Sequence, residues 1–199
     1  AQAITSPEAV ASVGIKYDLD DEDNNGFELA MCPNVGLGKV GRTKWVGGTS
    51  ATNAPGFYAE VEVSCADVSE TETITLLGMG IVEAMPDAAL VTARNTYAAF
   101  AIDDGDQNID IKEELDGSSA GSDASGTALT DNAAGSTKCK ITWSDAGLPT
   151  MTLNGSDVSK SNFDLQLAAN DEITVFFNLV KTAASAAGLI FKKLTVGYN

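Results

Sequence analysis

Lys39, Arg42, Lys44 and Trp45 share one glycine-rich stretch, and no acidic residue occurs from Ala30 to Ala59 although 28 of the 199 residues are Asp or Glu. Positive charge left unneutralised beside an indole suits docking on an acidic partner. Complementary charge raises the association rate and fixes register, while a central aromatic supplies much of the affinity. The same stretch permits a second chemistry, because Trp45 with Tyr58 and Tyr97 could form a platform on which the apolar side of a pyranose stacks. The plainer alternative is a glycine-rich loop that tolerates surface lysines.

Other spacings in the chain imitate sites without completing them. Gly36, Gly38 and Gly41 match G-x-G-x-x-G, but that spacing holds a dinucleotide only between a strand and a helix N-terminus. The R-T-K-W-V-G-G that follows is no helix start, and Lys39 lacks the frame of a phosphate-binding loop. Asp21, Asp23, Asn25 and Gly26 reproduce the first half of a calcium loop, yet the position that needs a bidentate Glu is Cys32, and Glu28 takes a usually apolar position. A solvated acidic turn is the better reading, there and at Asp103, Asp104, Asp106 and Asp110. No cofactor is expected. With no histidine in the chain, Ser-His and Cys-His pairs and histidine-bound metals are excluded. Acidic residues are so numerous that chance pairs cannot identify a glycosidase dyad. The expectation is a protein that is not an enzyme.

A balance of 12 basic against 28 acidic residues gives a formal charge of -16, which repels nucleic acid and anionic membrane. Three widely spaced cysteines, Cys32, Cys65 and Cys139, spell neither a disulfide framework nor a paired zinc motif. Cys65 and Cys139 lie in apolar phase within strand patterns, as small hydrophobes. No apolar run approaches the roughly 20 residues that span a bilayer, so the chain reads as soluble. Ala1 fits both loss of an initiator methionine and cleavage of a signal peptide.

Strands must hold these residues. Near the C-terminus Ile173, Val175, Phe177 and Leu179 fall on one side of an extended segment and Glu172, Thr174 and Asn178 on the other, the period of a half-buried strand. Residues 189 to 198 form a second apolar strand, so closure of the fold should await insertion of this pair beside earlier strands. Residues 57 to 65 alternate most cleanly. Residues 71 to 84 are a long strand loosened at Gly78 and Gly80, where a bulge or a close backbone approach is expected. Residues 27 to 31, 97 to 102, 109 to 115, 138 to 143 and 150 to 153 add further strands, and Asn154-Gly155 is a strong hairpin signal because both residues accept positive φ. Roughly nine strands with frequent turn signals predict an all-β antiparallel sandwich. Residues 1 to 28 read as an N-terminal arm and acidic turn, and residues 29 to 199 as one domain. Its low-complexity insert, residues 116 to 137, has little to bury and needs the fold or a neighbouring subunit to hold it.

With strands in place, the chain resembles the jelly-roll sandwiches of carbohydrate-binding modules and of virion surface proteins of tailed bacteriophages. The likeness rests on residues 57 to 65, residues 97 to 117 (YAAFAIDDGDQNIDIKEELDG), the Asn154-Gly155 hairpin and the closing LIFKKLTVGYN. It implies first a capsid decoration or fibre-base protein on a virion. The expected partners are then capsid protein and copies of itself, with no nucleic acid and no membrane, docked through Lys39, Arg42, Lys44 and Trp45. The alternative it implies is a secreted carbohydrate-binding module or lectin-like sandwich.

Overall fold

A computed structural model describes residues 8–10, 14–18, 26–31, 57–66, 72–81, 97–102, 108–115, 118–128, 135–143, 149–160, 173–181 and 188–198. They form thirteen strands. In chain order these are β1 (Glu8–Val10), β2 (Gly14–Asp18), β3 (Gly26–Met31), β4 (Phe57–Ala66), β5 (Glu72–Ile81), β6 (Tyr97–Ile102) and β7 (Asn108–Leu115). There follow β8 (Ser118–Ala128), β9 (Thr137–Trp143), β10 (Pro149–Leu153), β11 (Ser156–Asp157), β12 (Ile173–Lys181) and β13 (Gly188–Tyr198). A larger sheet has the order β1-β2-β13-β4-β9-β10-β11, and a smaller one the order β3-β12-β5-β6-β7-β8. Every pairing is antiparallel, so the expected all-β sandwich is what forms.

The core lies where the two inner faces meet. From the larger sheet come Phe57, Ala59, Val61 and Val63 of β4, Cys139, Ile141 and Trp143 of β9, and Met151 and Leu153 of β10. From the smaller come Ile74, Leu77 and Met79 of β5, Phe100 and Ile102 of β6, Ile109 and Ile111 of β7, and Val175 and Phe177 of β12. Each large apolar side chain so buried contributes about 1.5–3 kcal/mol of transfer free energy. Phe177 and Phe191 clasp the sheets together edge to face, with ring centroids 4.8 Å apart. The Cys139 thiol and the Trp143 ring are core groups, as their phase on β9 predicts.

The ends of the chain are woven together. β12 inserts between β3 and β5, and β13 between β2 and β4, so the C-terminal pair does enter beside earlier strands. Part of the expected N-terminal arm is sheet, since β1 pairs with β2 and β2 with β13. Backbone pairing holds it there. The low-complexity stretch is likewise strand over residues 118–128, where β8 pairs along β7, so the fold holds that part without a neighbouring subunit. At Asn154-Gly155 the φ values of 51° and 84° make the expected two-residue turn. The Asn154 carboxamide oxygen also accepts the Lys138 backbone N–H at 2.9 Å, tying the turn to the start of β9.

One expected pattern is corrected. β12 is not half-buried: Thr174, Val175, Phe176, Phe177 and Asn178 are all at most 1 % exposed. Its inner side meets the sandwich core, whereas on its outer side Phe176 packs with Tyr97 and Ala99 in a separate cluster.

Candidate functional site

The two outer faces differ in kind. On the larger sheet, Glu60 and Glu62 of β4 stand opposite Lys140 and Lys138 of β9. The Lys138 ammonium lies 3.9 Å from Glu62, an exposed pair of the sort that contributes little in water. The Lys140 ammonium sits 5.0 Å from the centre of the Tyr58 ring, and that ring lies against Gly197 of β13. Lys192 donates to the Gly135 carbonyl. These are the groups of a hydrated face.

The outer face of the smaller sheet is floored by small residues. Gly78 and Gly80 of β5 pair with Ala99 and Tyr97 of β6, and Thr75 pairs with Ala101. β12 forms one wall with Phe176 and Asn178, and β7 forms the other with Asp110 and Lys112, opposite Ala101 and Ala99. The Phe176 ring covers Gly78 so closely that an added Cβ would run into it, and it meets Tyr97 edge to face at 6.1 Å. Glycine at position 78 is therefore required by the ring above it. Ala99, Ala101, Thr75, Phe176 and Asn178 are all at most 1 % exposed, so this face is covered and not open to solvent.

A β-bulge shapes one end of this face. The registers of β5 with β12 and of β5 with β6 both shift at Leu76–Leu77, where two residues of β5 oppose one on each neighbour and both leucines turn into the core. The bulge falls two residues before Gly78, one of the two positions at which irregularity was expected. Thr75 N–H instead donates to the Asn178 carboxamide oxygen at 3.0 Å. Thr75 Oγ1 and Asn178 Nδ2 are both buried and have no hydrogen-bond partner in the protein. Among the described residues the only other buried side-chain atom in that condition is Trp143 Nε1, in the core.

Lys39, Arg42, Lys44 and Trp45 lie outside the described residues, as do the glycine motif and, but for Gly26 at the start of β3, the first acidic cluster. Of the second acidic cluster only Asp110 is described, half-buried on β7, and no group of three or more His, Cys, Asp or Glu among the described residues could hold a metal ion. Tyr58 and Tyr97 face away from each other on opposite outer faces, so they cannot share a stacking platform. Thr75 and Phe176 were not singled out at all, and Asn178 was placed on a wet side. The available signal was an asparagine inside the apolar run Phe176-Phe177-Asn178-Leu179.

No family model matches the chain, and no curated protein matches it in sequence. Solved structures do match in fold. The Emp47p carbohydrate recognition domain superposes with a TM-score of 0.66 at 10 % identity, over 100 % of this chain and 87 % of that one. A family 7 alginate lyase in complex with its product gives 0.61 at 14 % identity, over 96 % and 82 %. The potassium-bound Emp46p carbohydrate recognition domain gives 0.56 at 6 % identity, over 91 % and 82 %. At such identities the likeness establishes a jelly-roll β-sandwich and nothing finer.

These neighbours overturn the capsid-decoration expectation: the solved structures named above are two carbohydrate recognition domains and an alginate lyase, not virion proteins. A pattern of strands and turns specifies the sandwich, which carries many unrelated functions, so it could not choose between the two readings of the same resemblance.

Proposed function

We propose that this protein is a non-catalytic, carbohydrate-binding β-sandwich of the extracellular kind. The observation that carries the proposal is the fold: two of the solved structures it resembles along nearly its whole length are carbohydrate recognition domains. The chain contains no histidine, so any lyase chemistry would have to draw its proton transfer from a tyrosine, lysine or carboxylate.

Retention of the intact chain on immobilised polysaccharides tests the proposal, together with the viscosity of the same polysaccharides on incubation. Specific retention without loss of viscosity is expected. Absence of retention across neutral and acidic polysaccharides would remove the reading, and depolymerisation would replace it with a catalytic one.

A further inference from the structure

We infer that an uncharged polysaccharide lies on the outer face of the larger sheet, across β13, β4, β9 and β10 around the Tyr58 ring; the inference rests on the carbohydrate-binding reading and gives it a surface. The inward residues of these strands pack on the core, so the alternate residues look outward. One row across the strands reads Tyr58, Thr142 and Thr150, and the next reads Thr195, Glu60 and Lys140. All of them are exposed or half-buried, whereas the smaller sheet is covered over β12, β5 and β6. Of the two outer faces, this is the one open to a ligand.

The ring is held in place before any ligand arrives. Gly197 stands opposite Tyr58, and a Cβ at position 197 would crowd the ring at 3.3 Å, so the missing side chain is what seats it. The Lys140 ammonium, 5.0 Å from the ring centre, steadies it further. A seated ring with a phenolic hydroxyl at its tip offers apolar surface and a hydrogen bond, and loses little conformational freedom on binding. Around it the threonine hydroxyls donate or accept, Glu60 accepts and Lys140 donates. A sugar presents the matching mixture, with C–H surface between hydroxyls that both donate and accept.

Charge selects the class of polymer. Glu60 and Glu62 on β4 face Lys140 and Lys138 on β9, and Lys193 on β13 stands across from Glu62. Acid and base nearly cancel on this face, in a chain whose net charge is -16. A polyanion therefore gains little here to offset its long-range repulsion by the rest of the molecule. Hydroxyl groups, which donate to a carboxylate and accept from an ammonium, use both signs at once. Four strands span about 14 Å, room for a short run of sugar rings laid across them.

Calorimetric titration of the intact chain with a neutral glucan or mannan and with alginate, on wild type, Tyr58→Ala and Thr142→Val, tests the inference. The expected result is binding of the neutral polymer, weakened roughly 5- to 30-fold by Tyr58→Ala, as for an aromatic anchor, and roughly 3- to 10-fold by Thr142→Val, as for one lost hydrogen bond. Thermal unfolding should show both variants folded, since both side chains stand on the outer face; if Tyr58→Ala fails to fold, Thr142→Val, which keeps the shape, decides alone. Equal affinity of wild type and the folded variants for the neutral polymer would overturn this surface and leave the carbohydrate reading standing. Binding of alginate alone would overturn the uncharged class. Binding of no polymer by wild type would sink the reading and the surface with it.

Discussion

Phe177 is completely buried and faces Phe191 across the two sheets. Phe177→Ala should cost about 3–5 kcal/mol, the transfer term plus the cavity left behind. Urea unfolding would measure it, and a loss under about 1 kcal/mol would mean that the site refills. Asp157 offers a gentler test at the edge of the molecule. The Ser159 side chain and backbone N–H, the latter at 2.9 Å, both favour its ionised form and hold its carboxyl below the usual 3.8. A depressed folded pKa stabilises the fold above the unfolded value and is lost as pH falls through the folded one. Asp157→Asn should therefore lower stability slightly at neutral pH, and the gap between the two unfolding midpoints should close in acid below the ordinary aspartate range. A gap that persists there would assign the effect to hydrogen-bond geometry and not to charge.

At the scale of elements, β5 and β12 depend on each other through Gly78 and Phe176. Gly78→Ala should cost about 1–3 kcal/mol by overpacking, and the loss should shrink in a Phe176→Leu background, where the ring no longer occupies the space. A double-mutant cycle measures the difference, and strict additivity would mean that the ring moves aside freely. Legibility in the sequence also varied by element. β4 and β9 were plain because one face is wet and the other dry, so their residues alternate. β12 was misread because both of its faces are covered, and a strand buried on both sides loses its period. β1, β2 and β8 carried too few apolar residues to announce themselves, for their order comes from backbone pairing: β1 to β2, β2 to the distant β13, and β8 to β7. Thr75 and Asn178 escaped because their relation is created by a register shift in a strand pairing that sequence alone does not supply.

On the scale of the whole molecule, the early strands β2 and β3 are held by β13 and β12, from the other end of the sequence. Such long-range pairing implies slow folding, in the millisecond-to-second range of β-sandwiches. It also predicts that a chain ending before Gly188 loses the strand between β2 and β4 and no longer unfolds cooperatively. Circular dichroism during a urea titration would show a broad, sloping change, whereas a sharp transition like that of the intact chain would mean that β13 is an accessory to the sheet. The closing of the chain on itself was legible in the apolar C-terminal strands. The choice between the two readings of the resemblance was not, because strands and turns specify the sandwich and no more.

The bulge at Leu76–Leu77 works as a change of parity in β5. Counting along the strand, even positions up to Leu76 face inward, and after it odd positions do, as Ile74, Leu76, Leu77 and Met79 show. Without that shift the same residues would alternate strictly, and Thr75 and Gly78, three apart, would fall on opposite faces. Keeping Gly78 beneath the Phe176 ring would then carry Thr75 into the core, and keeping Thr75 beside Asn178 would set Leu77 under the ring. Two leucines turned inward in succession are thus what allows the ring's seat and the Thr75–Asn178 contact to share a single face, and deleting one of them would leave both in place on a regular strand.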